Sequence, residues 1–74
     1  MGTHVVIGQN YWGKGETLAE AKKNFQRQGA KLSRGYTILV FDEQTSFEGV
    51  DQIGRVHYQG NAPQKTEVKA KGGN

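Results

Sequence analysis

Tyr36-Thr37-Ile38-Leu39-Val40-Phe41 is the strongest strand signal in this chain, apolar on both of its alternating faces apart from Thr37. Neighbouring side chains of a strand point to opposite sides of the sheet, so such a run needs cover on both sides and belongs at a sheet's centre. Cover is scarce. Leu, Ile, Val and Phe make up 15 of the 74 residues, close to the roughly 20% below which strongly charged chains stay unfolded. The net charge is only +3, so the chain is read as folded, with a small core: a domain of this size removes only about 60% of its unfolded surface from water. There is no Cys, hence no disulfide framework and no thiolate metal site, and the core must suffice alone or be completed by a partner.

Other elements arrange themselves around that strand. His4-Val5-Val6-Ile7, closed by Gly8, suits a short buried strand. Residues 9–15, with two glycines and the adjacent Tyr11 and Trp12, read as a loop. Thr17-Leu18-Ala19-Glu20 fits a capping box, with the Thr17 hydroxyl accepting from the Glu20 amide and the Glu20 carboxylate reaching back to the Thr17 amide. The helix that follows ends before Gly29, a left-handed cap, and carries Leu18, Ala21 and Phe25 on one narrow arc, opposite Glu20, Lys23 and Arg27. Residues 30–35 form a polar connector and residues 42–46 a turn. A further strand is expected over about 52–58, with Val56 and Tyr58 on one face and Gly54 at a bulge or a close approach.

The expected fold is α+β: a small β-α-β-β domain over residues 1–62, one helix packed on a three-stranded sheet, followed by a flexible, disordered basic tail over 63–74. A parallel first pair would make a right-handed crossover, with the third strand a hairpin partner of the second. One sheet face would then stay open, lined from Val5, Leu39, Phe41 and Ile53, and a second copy of the chain or another partner would be its natural cover. No apolar run approaches the ~20 residues of a membrane span, and residues 1–4 have no signal-peptide character. A cytoplasmic location and no membrane partner are expected.

Charge is distributed unevenly. Residues 1–35 hold six Lys and Arg against two Asp and Glu, +4; residues 36–60 hold Arg55 against Asp42, Glu43, Glu48 and Asp51, −3; the remainder is +2. Lys22, Lys23 and Arg27 on the helix, with Lys31 and Arg34 after it, could meet four or five phosphates of a nucleic acid. The same residues also make a soluble helix and complement its dipole.

Chemistry-bearing patterns are weak. Gly8 to Lys14 has the Gly-x4-Gly-Lys spacing of a phosphate-binding loop, but Gly15 stands where a magnesium-binding hydroxyl is needed and Glu16 brings negative charge. Helix-terminal anion contact by Lys14 is the lesser alternative. Tyr11 and Trp12 could stack on bases or enter a partner's pocket, or Trp12 could fold onto the core while Tyr11 faces outward. His4 and His57 lack carboxylates or a second histidine at metal-ligand spacing, and no catalytic constellation, cofactor or small-molecule substrate is expected.

These features lead to a small non-enzymatic accessory protein of the kind that phages and plasmids encode. It would act through protein–protein interaction, self-association included, by way of Tyr11, Trp12, Lys14, Lys22, Lys23, Arg27, Lys31 and Arg34, with Arg55, His57 and Tyr58 as secondary candidates. The acidic 36–60 segment favours a protein partner. The alternative is nucleic-acid binding by the basic helix, the 31–34 connector and the tail.

Overall fold

The structure, a computed structural model, describes residues 2–70. In chain order it contains β1 (His4–Ile7), β2 (Trp12–Gly15), α1 (Leu18–Arg27), a single 3-10 turn (Leu32–Arg34), β3 (Tyr36–Val40), β4 (Ser46–Val50), β5 (Val56–Gln59) and β6 (Gln64–Val68). The α+β class holds, but the main sheet has four strands, in the order β2-β1-β3-β6, and all its pairings are antiparallel. β4 and β5 form a separate two-stranded hairpin.

Three expectations are corrected together. Residues 12–15 are a strand rather than loop: Gly13 and Gly15 face α1, which approaches so closely that a side chain on Gly13 would overlap the Phe25 backbone nitrogen. Glycine in a strand here marks close backbone approach, not a turn. Because β2 returns the chain to the starting end of β1, the helix leads into a β3 antiparallel to β1, with Val6 opposite Ile38, and there is no parallel crossover. Finally, residues 64–68, expected in a disordered tail, pair with β3 as β6. Only Val68 of that strand is partly buried, so backbone pairing rather than an apolar pattern holds it. Residues 71–74 of the expected tail lie outside the described residues.

α1 forms where its signals place it. The Thr17 hydroxyl accepts from the Glu20 amide at 3.1 Å, while the Glu20 carboxylate reaches back to the Glu16 amide, one residue earlier than the capping box predicts, at 3.2 Å. Gln28 closes the helix and Gly29 follows at φ +106°. Ala21 and Phe25 are buried with Val6, joined by Leu18, Leu32, Tyr36 and Ile38, on one face of the sheet. Asn24 and Gln28, one turn apart on α1, donate to the carbonyls of Lys14 and Trp12 at 2.6 and 2.7 Å, satisfying acceptors on edge strand β2.

The opposite face is not open. Val5, Leu39 and Phe41 are buried beneath the β4–β5 hairpin, which contributes Phe47, Val56 and Tyr58; Ile7 and Trp12 complete the cluster. Phe41 meets the rings of Phe47 and Tyr58 at centroid distances of 5.5 and 5.2 Å, and Trp12 meets Phe47 edge-on at 5.5 Å. Each aromatic pair adds about 0.5–1.5 kcal/mol beyond its area. The strand expected over 52–58 is therefore the second arm of this hairpin, starting at Val56, and its partner is β4 rather than β3. Gly54 lies in the turn at φ +85°, and the register shift falls between Phe47 and Gly49.

A polar clamp fixes the hairpin's base. Asp42 accepts from the Gln44 amide, the Thr45 hydroxyl and the Asn61 side chain at 2.7–3.0 Å, and the buried Thr45 accepts from the Asn61 amide at 2.9 Å. These bonds join the turn entering β4 to the segment leaving β5.

Candidate functional site

The central sheet separates the charges as well as the cores. On its helical side, residues 16–34 hold Lys22, Lys23, Arg27, Lys31 and Arg34 against Glu16 and Glu20, +3; on the other side, residues 42–59 hold Arg55 against Asp42, Glu43, Glu48 and Asp51, −3. Among the described residues, none of the five cations on the helical side is in an ion pair. Lys23, Arg27, Lys31 and Arg34 are exposed; Lys22 is half-buried, its ammonium 5.6 Å from the Tyr36 ring centroid.

Two adjoining concavities cross the end of the sheet where β1 gives way to β2 and where β3 begins. The first, about 200 Å³, lies between the 8–11 turn and the segment after α1; Phe25 and Gly8 line it together with Tyr11, Gly29, Lys31 and Arg34. The second, shallower and about 380 Å³, shares Arg34 and Gly35 with the first and continues to Lys69, with Glu67 its one carboxylate. Tyr11 is 39% exposed, and its carbonyl accepts from the Gly8 amide at 2.8 Å, closing the turn that presents it. Tyr11 lies close against Gly29: a methyl there would be in contact with the Tyr11 hydroxyl at 3.5 Å.

The residues singled out by sequence thus divide. Tyr11, Lys31 and Arg34 line one concavity, and Lys22, Lys23 and Arg27 lie on the adjacent helix. Trp12 and Tyr58 pack in the core under the hairpin. Lys14 projects from β2 toward that same side, 5.9 Å from the Phe47 ring centroid, so Gly13 and Lys14 belong to a strand and not to a phosphate-binding loop. Lys69, part of the basic tail in the nucleic-acid alternative, reaches the second concavity, and Asn10, which no local pattern marks, lines the first.

His57 is exposed on the solvent side of the hairpin and its Nε2 lies 2.9 Å from Asp51 Oδ2, a carboxylate partner that sequence spacing did not suggest. Asp51 also accepts from the Arg55 and Ile53 amides at 2.8 and 3.0 Å. The His57 bond, reinforced by those amides, holds the Asp51 carboxyl below its ordinary value; the Thr45 hydroxyl and Asn61 do the same for Asp42. Both assemblies brace turns. His4 lies in the main sheet and His57 on the hairpin's outer face, so the fold does not place them on one surface. Among the described residues no group of His, Asp and Glu is arranged to hold a metal ion.

No helix is long and apolar enough to cross a membrane among the described residues. No family model matches this sequence, and no curated protein or solved structure is significantly similar to it.

Proposed function

We propose that this chain is a non-enzymatic binding protein that holds a single strand of nucleic acid along the groove from Tyr11 past Arg34 to Lys69. The observation that supports this reading most is the set of unpaired cations beside an exposed aromatic, on a side of the sheet where Lys and Arg outnumber Asp and Glu. An extended polyanion needs positive charge along a track and a ring on which a base can stack. The two features that favour a protein partner change meaning: the hairpin covers the sheet face that the sequence leaves open, and the acidic segment packs on the side of the sheet away from α1, with Asp51 at its tip bordering Asn10 and Tyr11.

Fluorescence anisotropy with a labelled single-stranded oligonucleotide tests the reading. Three or four phosphate contacts give a log–log salt slope of about −2 to −3. The double reversal Lys31→Glu/Arg34→Glu should abolish binding while leaving the circular dichroism spectrum unchanged. Absence of binding at low salt, or indifference to the reversal, refutes the proposal.

A protein contact remains the second reading because Ile53 is 74% exposed at the hairpin tip. A photocrosslinker at position 53 that captures one defined protein, with none of the strand binding above, would favour it.

A further inference from the structure

We infer that the cavity between the 8–11 turn and the 29–35 segment receives one unstacked base of the bound strand, so that the protein grips nucleic acid by a base as well as by phosphates. This rests on the single-strand reading above. At about 200 Å³ the cavity exceeds the roughly 150 Å³ that accommodates benzene and falls short of the roughly 300 Å³ at which pockets for drug-sized ligands begin. Its size therefore suits a single planar heterocycle.

The lining has the matching chemistry. Tyr11 supplies an exposed aromatic ring above a floor closed by the buried Phe25, Asn10 supplies an amide able to donate to and accept from a base edge, and Lys31 and Arg34 stand where the flanking phosphates would leave the cavity. No carboxylate lines it. A bare phosphate would use the two cations and leave the Tyr11 ring and the Asn10 amide without a role, whereas a base attached to its backbone uses all of them. Two glycines let the backbone close on its neighbours at the cavity wall. A side chain at Gly8 would come within 2.6 Å of the Phe25 ring, and one at Gly29, at φ +106°, would be strained and would grow toward Tyr11.

The test compares two labelled oligonucleotides of equal length, one of ordinary thymidines and one abasic, on the unaltered protein. The ordinary strand should bind about 5- to 150-fold more tightly, the range for loss of one stacked base. Tyr11→Ala should bring the two affinities together without weakening the abasic strand, and Tyr11→Phe should restore the preference. Amide NMR signals of Gly29 and Ala30 should move with the ordinary strand alone. Equal binding of both strands, still lost on Lys31→Glu/Arg34→Glu, overturns the base pocket while the single-strand reading stands. Failure of both strands to bind at low salt overturns the two together.

Discussion

Gly13→Ala discriminates between two physical accounts of residues 9–15. In a loop, adding a methyl group is neutral or stabilises by about 0.4–1 kcal/mol, because it narrows the unfolded ensemble. On β2 the outcome has the opposite sign. The added carbon would overlap the Phe25 nitrogen and lie 2.8 Å from both the Asn24 carbonyl carbon and the Phe25 Cα. These are backbone atoms of α1, which cannot rotate aside, so the helix must lift from the sheet. The φ of Gly13 is not positive, leaving steric overlap as the whole penalty. Overpacking costs about 1–3 kcal/mol, and contact with helix backbone places this case near 3. A chain of this length has about 4–11 kcal/mol of stability in total, and a loss near 3 lowers Tm by about 12–24 °C. Thermal unfolding followed at 222 nm measures it, with Gln9→Ala in the exposed turn as a control expected within about 0.5 kcal/mol of the parent. A Gly13→Ala protein melting at or above the parent would refute the placement of β2 beneath α1.

Two further perturbations address the hairpin. Thr45→Val keeps the shape of a buried side chain but removes the hydroxyl shared by Asp42 and Asn61; both partners are open to water, so the loss should be about 0.5–1.5 kcal/mol in urea unfolding, and a neutral result would show that the clamp is incidental. Asp51 titrates below its ordinary value of 3.8, so its contribution is fully present above that value and is lost as pH falls through the lower, folded pKa. Asp51→Asn should therefore be less stable than the parent at neutral pH, with the gap narrowing below about pH 4; a gap independent of pH would show that the His57 and amide contacts do not depend on the carboxylate's charge.

What the sequence made legible follows from how each element is held. The capping box and apolar arc of α1, the β-branched β1 and the doubly apolar β3 are stabilised by their own side chains, and their local patterns reveal them. β2 and β6 are held differently. β2 is glycine-rich because a helix lies against it, and β6 is polar because it is an exposed edge joined to β3 through backbone hydrogen bonds. Neither condition produces hydrophobic periodicity. Overlooking β2 has a disproportionate effect, since one missing strand reverses the inferred direction of the chain that follows and turns an antiparallel sheet into a supposed crossover.

The candidate site was legible in its charges and not in its shape. Splitting the chain at residue 35 already separates basic from acidic residues, but only the packing of α1 and the β4–β5 hairpin on opposite faces makes that split a surface with two sides. Had the acidic segment flanked the helix, Glu48 and Asp51 would have competed for Lys31 and Arg34 and left little to attract an anion. The same hairpin that carries those carboxylates away from α1 buries Val5, Leu39 and Phe41, so the core and the electrostatics are consequences of one arrangement. A substitution that loosens the hairpin should therefore weaken anion binding indirectly, whereas Tyr11→Ala should weaken only the strand that carries bases, with the fold intact, because Tyr11 lies outside both buried clusters.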